Sequence, residues 1–208
     1  MSGVIASSSL QAENLPLPVK KMKTGIQLWT LKDMVSADLS GTLTALSKIG
    51  FNSLEPYGFD GGFYGHTARD FRKMCNDLGM VITSTHSGIT LENASLYADK
   101  AAEAGLEYIV LPSFNGRPEK NLDDFKKAAH EMNQIGEITK KAGIIFGYHN
   151  HNFEFQPMEG KLPYDILLAE TDPDLVTFQM DLYWVVKGGQ KPEEYFDKHS
   201  GRFQLWHI

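Results

Sequence analysis

The sequence predicts an α/β protein, a (β/α)8 barrel of the TIM type that is C-terminally truncated to about seven βα units. Three observations carry this expectation. Seven strand-like segments begin at 24, 51, 80, 106, 144, 175 and 203, each separated from the next by room for a helix. Strands at such intervals pair in parallel, because each return to the sheet needs a crossover. Six of the seven also close on residues able to do chemistry: Gln27 and Trp29, Glu55, His86, His149 and His151, Asp181, and His207. In a barrel the C-terminal ends of the strands form the rim on which active sites are built.

The elements follow in order. Strand one covers 24–30 (TGIQLWT), and the helix over 39–49 places Leu39, Leu43, Leu46 and Ile49 at helical spacing before Gly50. Strand two, 51–56, leads through a Gly-rich loop at 58–65 into a helix over 68–78 that Gly79 stops. Strand three is 80–85. A helix over 91–104 ends at Gly105, and strand four is 106–111. After a loop at 112–121, a long helix over 122–142 ends at Gly143, and strand five is 144–149. A loop at 153–162, a shorter helix over 164–169, strand six at 175–181, a helix over 192–198 and strand seven at 203–208 complete the chain. Helix, glycine and strand follow one another four times, as expected where a left-handed residue closes a helix. An open doubly wound sheet would carry a glycine-rich phosphate turn after strand one; here that turn reads Trp-Thr-Leu-Lys-Asp, and the barrel is preferred.

A length of 208 residues suits one domain, taken as 24–208. Residues 1–23 differ: 1–12 is small, apolar and serine-rich but lacks a basic leader and a full apolar stretch. It reads as a disordered arm or the remnant of an export signal, with a cytoplasmic location expected and an exported one as the alternative. Hydrophobic content of 42% and charge of 22% are ordinary for a globular protein. A net charge of −6 offers no basic face for nucleic acid, and no apolar run reaches the ~20 residues that span a bilayer. The single cysteine, Cys75, excludes an intrachain disulfide and a Cys-rich zinc site, and reads as a helix thiol.

The densest chemistry lies in Tyr148-His149-Asn150-His151-Asn152-Phe153-Glu154-Phe155. Alternation puts His149 and His151 on one face, following Ile145 and Gly147 toward the barrel interior, with Glu154 just beyond the strand. Two imidazoles and a carboxylate so close suit a divalent metal, or a general acid/base pair around one. Asp181 shares a face with Gln179, and a carboxylate closing a buried strand needs a cation or donors. An N-cap is its simpler role. His207 ends strand seven. Glu55 and His86 face the same rim, for substrate contact or proton transfer more than for metal. Trp29 and Phe114 are candidate walls for a sugar ring.

The segments GIQLWTL, FNSLEPYG, STHSG, YHNHNFEF, QMDLYW and LWHI, in that order over 24–208, resemble the sugar phosphate isomerase/epimerase family with a xylose isomerase-like barrel. The resemblance implies one divalent metal ion (Mn, Mg, Co or Zn) held at the ends of strands five to eight, with Asp181 and His207 as two ligands. The family's strand-five glutamate falls near His149, so this chain departs from the pattern there, and Glu154 reaching back is the alternative ligand. The strand-eight carboxylate has no counterpart. The implied substrate is a small sugar or sugar derivative, and the implied activity is isomerisation or epimerisation by proton transfer through a metal-stabilised enediolate, with His149, His151, Glu55 and His86 as catalytic candidates. A lyase or dehydratase acting on a keto-sugar, keto-glycoside or cyclitol is the runner-up. An abasic-site nuclease is opposed by the charge, and a non-catalytic truncated barrel is the remaining alternative. The bare edges of strands one and seven predict poor solubility unless a partner, such as a second copy, covers them.

Overall fold

The computed structural model describes residues 25–114 and 120–208. The expectations for residues 1–23 fall outside them, as does part of the loop at 112–121. Seven parallel strands lie side by side in chain order. They are β1 (Ile26–Gln27), β2 (Ser53–Glu55), β3 in two pieces (Val81–Ile82 and Ser84–His86), β4 (Tyr108–Leu111), β5 (Ile145–His149), β6 (Val176–Asp181) and β7 (Phe203–His207). The break in β3 falls at Thr83, so the ladder runs as β1-β2-β3 below it and β3 through β7 above it. The register pairs Gln27 with Glu55, His86 with Val110, His149 with Gln179 and His207 with Asp181. The six strands with polar termini therefore deliver them to the same end of the sheet; β4 ends on Leu111. The barrel architecture expected from the sequence is what the chain adopts, as an arc of seven strands.

The described residues also form eight α-helices: α1 (Lys32–Ala37), α2 (Leu39–Ile49), α3 (Ala68–Asp77), α4 (Ala94–Ala104), α5 (Leu122–Lys141), α6 (Pro163–Glu170), α7 (Leu182–Lys187) and α8 (Pro192–Lys198). Their ends are chemically marked. Asp38, Thr67 and Asn121 accept from backbone N–H groups in the first turns of α2, α3 and α5, filling donors that a helix leaves open. The four glycines read as stops, Gly50, Gly79, Gly105 and Gly143, all have left-handed φ values between 72° and 108°. Along α2, Leu43 and Leu46 are buried as expected, but Ile49 is 73% exposed. At 3.6 residues per turn the spacing from Leu39 to Ile49 drifts roughly 80° off the stripe, which turns Ile49 out to solvent.

Three features were not anticipated. Strand one is only two residues long, because Leu28–Leu31 coils into a 3-10 turn that Gln27 caps. The Gly-rich loop contains a small hairpin, Gly62–Phe63 against His66–Thr67. The apolar run after Asp181, given no element in the sequence reading, is helical (α7). Cys75 is fully buried, and burial pushes its thiol up to about 12, leaving it inert.

The apolar core lies between the sheet and its helices, with Phe71, Phe125, Phe146 and Phe178 wholly enclosed. Close packing of α5 on the entry to β6 depends on Gly136, where a Cβ would stand 2.5 Å from the Leu175 carbonyl oxygen. Gly136→Ala is expected to lower stability by about 1–3 kcal/mol through overpacking, read as a shift in the urea midpoint at unchanged slope. The interior of the arc is different in kind: Ser53, Glu55, Ser84, His86, His149, Thr177 and Gln179 are all buried there or at its rim. Among the described residues β1 and β7 share no ladder, and a cavity of roughly 440 Å³ opens between them, lined by Gln27, Glu55, Gln179 and His207 among others. No helix of the described residues is long and apolar enough to cross a membrane.

Candidate active site

Five barrel strands converge on one cluster. Ring or carboxylate atoms of His86 (β3), His149 (β5) and His207 (β7) lie within 4.8 Å of one another. Asp181, ending β6, sets its Oδ2 3.9 Å from His149 Nε2 and 3.7 Å from His207 Nδ1. Glu55, ending β2, holds His207 Nε2 at 2.7 Å and lies 3.3 Å from His86 Nε2. These side chains come together because β-strand pleating sends alternate residues inward and the register aligns the last inward position of each strand.

A hydrogen-bonded frame fixes them. Gln179 donates from Nε2 to Glu55 Oε2 at 2.7 Å, and its Oε1 accepts from His86 Nε2 at 2.7 Å. Gln27 Nε2 approaches His86 Nδ1 at 3.2 Å. With Gln27 donating there, the His86 proton belongs on Nε2. Ser84 Oγ also donates to Glu55 Oε2. Asp181 divides its carboxylate: Oδ1 caps α7 by accepting from Trp184 N–H at 2.9 Å, and Oδ2 faces the imidazoles. The N-cap expected as one role of Asp181 is thus made by Oδ1, and Oδ2 is left toward the imidazoles.

Electrostatics sort the groups. Burial drives the His149 imidazole well below its ordinary range, and the neighbouring His86, His207 and His151 add to this. Burial likewise lowers His86, outweighing the pull of Glu55 in the other direction. Both are neutral at neutral pH; His86 has its two ring nitrogens engaged by Gln27 and Gln179, whereas neutral His149 keeps a lone pair for a cation. Burial alone would raise Glu55, but its contacts with His207 and His86 hold it down at about 2. Burial would lower His207, but Asp181 and Glu55 hold it up at about 9. His151 stands beside the cluster, its ring 5.0 Å from that of His149, and burial lowers it too. Nδ1 atoms of His149 and His151 are buried without a hydrogen-bond partner. An orphaned nitrogen among neutral imidazoles and two carboxylates suits a divalent cation of the borderline type.

Two sequence expectations change. Glu154 does not reach back to the cluster: it is wholly buried, its Oε1 accepting from Tyr148 Oη at 2.6 Å and its Oε2 from His151 N–H at 2.9 Å. Tyr148 points to the opposite face of β5 from His149, so Glu154 is drawn away from the barrel axis and braces the turn instead. His86, expected to serve substrate more than metal, lies among the three clustered imidazoles with both ring nitrogens engaged by Gln27 and Gln179, which leaves that expectation standing. Phe114 is buried, stacked on Tyr148 at 4.9 Å, and is core rather than a wall for substrate.

Gln179 and Asn150 were missed as site-forming residues. Asn150 is fully buried, and its amide pairs with both backbone groups of Asp181, Oδ1 accepting at 3.0 Å and Nδ2 donating at 3.2 Å. It extends the β5–β6 ladder by one side-chain rung. The period-2 face shared with Asp181 was the available signal for Gln179; Asn150 gave none, because it points between strands. Asn150→Ala is expected to cost about 2–4 kcal/mol, two hydrogen bonds and an unpaired buried backbone pair, measured by chemical denaturation. A change below 1 kcal/mol would show that water replaces the rung.

Comparison with known proteins agrees with this geometry. Residues 43–208 match the xylose isomerase-like TIM barrel family. A sugar phosphate isomerase/epimerase of Parabacteroides distasonis is 33% identical and superposes with a TM-score of 0.79, over 98% of this chain and 77% of its own. The IOLI protein, solved with a zinc atom bound, shares the fold at a TM-score of 0.70 and 13% identity, over 90% of this chain and 72% of its own. An inosose dehydratase of Clostridium botulinum is 26% identical over 97 residues, 47% of this chain and 32% of that enzyme. The matched stretch thus spans about a third of the length of such curated relatives. A seven-strand arc, a polar rim and a family match over most of the chain lead to one statement: the chain belongs to the xylose isomerase-like TIM barrel family, among relatives that include sugar phosphate isomerases/epimerases.

Proposed function

We propose that the protein is a metal-dependent isomerase or epimerase of a small sugar. The observation that carries the reading is the meeting of three imidazoles and two carboxylates at the rim of one barrel. His149, His207 and Asp181 would hold one divalent cation, of which Zn, Co, Mn and Mg are the candidates, with His86 fixed beside them by Gln27 and Gln179. When bound, such an ion supplies Lewis-acid stabilisation of negative charge on neighbouring sugar oxygens.

The remaining work falls to side chains. His151, which burial keeps neutral, would take a proton from a carbon next to a carbonyl. Returning it to the adjacent carbon isomerises the sugar; delivery from the opposite face epimerises it. Glu55 remains ionised and, held by Ser84 and Gln179, orients His207 and His86. Gln27 and Gln179 set the His86 tautomer.

A dehydratase is the second reading, favoured by the similarity to inosose dehydratases. There the same proton is removed and a β-hydroxyl leaves. One experiment separates these readings. Protein loaded with each candidate metal is incubated in D2O with ketoses, sugar phosphates and inososes. Deuterium in recovered sugar supports the isomerase, and an unsaturated or dehydrated product supports the lyase. A protein that retains no metal at equilibrium and exchanges no deuterium refutes both.

A further inference from the structure

We propose that Tyr108, on the strand without a polar terminus, is a positioning residue for the site. By holding the extra residue of a bulge in β7, Gln204, it keeps His207 rather than Trp206 turned toward the cluster. That His207 ligates a cation rests on the function proposed above; the bulge rests on strand register. The ladder between β6 and β7 pairs Phe203 with Phe178, then Leu205 with Gln179, Trp206 with Met180 and His207 with Asp181. One step along β6 therefore answers two along β7, and Gln204 is the residue left over. Such an insertion is uncommon in a parallel pair, and beside a functional site a bulge re-aims the side chains that follow it.

Side-chain contacts show the same extra residue. In a regular strand, residues four apart share a face and residues three apart do not. Phe203 and His207 are four apart and face opposite ways. Phe203 packs on Phe178 and on Phe196 of α8, with ring centroids 6.3 and 5.4 Å away, while His207 meets Glu55 inside the arc at 2.7 Å. Phe203 and Trp206 are three apart, yet both reach Phe196, and the Trp206 indole N–H donates to the Phe203 carbonyl at 3.2 Å. Gln204 and Leu205, though consecutive, both line the cavity within the arc. Tyr108 stands two residues before Val110, which pairs with His86, so it shares the inward face of β4. Its Oη crosses the interior and donates to Gln204 Oε1 at 3.1 Å. Without that anchor the competing arrangement is a regular ladder from Phe203, with Gln204 opposite Gln179 and Trp206 opposite Asp181. A slip of one residue reverses every side chain beyond it, so an indole would enter the cluster and His207 would leave it.

Two measurements on the 208-residue chain test this without requiring turnover: equilibrium dialysis against Zn²⁺ or Mn²⁺, and diethylpyrocarbonate labelling of His207, the one histidine in peptide 203–208. Tyr108→Phe is expected to weaken cation binding about tenfold or more, as for other residues one contact removed from a ligand, and to speed the labelling of His207. Gln204→Leu removes the same hydrogen bond from the other side and is expected to match it in both readouts. Deletion of Gln204 leaves a regular ladder in which Leu205 still meets Gln179 and His207 still meets Asp181. In the Tyr108→Phe background that deletion is expected to restore cation affinity and the protection of His207, a rescue that a merely stabilising tyrosine would not allow. Parental labelling in both Tyr108→Phe and Gln204→Leu overturns the proposal, as does a folded deletion variant that rescues neither readout. A parent chain that binds neither cation defeats the proposed reaction alone, since the labelling still decides the role of Tyr108. Tight cation binding that neither substitution disturbs defeats the positioning role alone.

Discussion

Asp181→Asn is expected to abolish deuterium exchange by at least a thousandfold while leaving the fold nearly as stable as before. The asparagine side-chain oxygen can still accept from Trp184 N–H and cap α7, the bond that Asp181 Oδ1 makes at 2.9 Å. What disappears is the negative charge that Oδ2 sets 3.9 Å from His149 and 3.7 Å from His207. Cation affinity should fall by a hundredfold or more in equilibrium dialysis. Asp181→Ala should lose the same chemistry and a further 0.5–2 kcal/mol of stability with the cap. If asparagine retained both metal and exchange, Asp181 would be a helix cap and nothing more.

Stability of the metal-free protein is expected to be greatest near pH 6.5 and to fall toward alkaline pH by about 3 kcal/mol. His207 titrates at about 9 in the fold against an ordinary 6.5, so its contribution is complete below 6.5 and is lost as pH rises through 9. Glu55 titrates at about 2, so its contribution is complete above an ordinary carboxyl value of 4.5 and is lost as pH falls through 2. Each shift corresponds to roughly 3 kcal/mol, and because the two groups share one contact this is counted once. His86, His149 and His151 act in the opposite sense on the acid side. The fold keeps them neutral, so stability declines as pH drops below 6.5 and the unfolded chain takes up protons. Urea melts between pH 5 and 10 measure both limbs. His207→Gln should flatten the alkaline one, and an unchanged limb in that variant would place its origin elsewhere.

Much of the barrel was legible because its signals are local. Helix-stopping glycines fall one or two residues past the ends of four helices, since a left-handed residue closes a helix that way without strain. The inward face of β5 followed from alternation alone, which put His149 with Gly147. Where the reading failed, contacts outside the local pattern decided. Leu28–Leu31 coils because the Gln27 side chain caps Trp29 N–H, a preference no apolar pattern encodes. The position of Asp181 beside the histidines was legible because it ends a buried strand, and Glu154 misled because it lies in the same histidine-rich run. The buried phenol of Tyr148 and the backbone N–H of His151 claim its carboxylate first.

By itself the sequence determined the order of strands, the end at which their polar residues gather and the identities of His149, His151, Asp181 and His207 as rim groups. Period-2 pleating and helix-length spacing suffice for that. Only the tertiary structure decided which of them meet, because the decisive contacts join residues as far apart as Glu55 and Gln179, or Glu55 and His207. Such distances along the chain are closed by the stagger between strands and the burial of each carboxylate, and neither is written in any one segment.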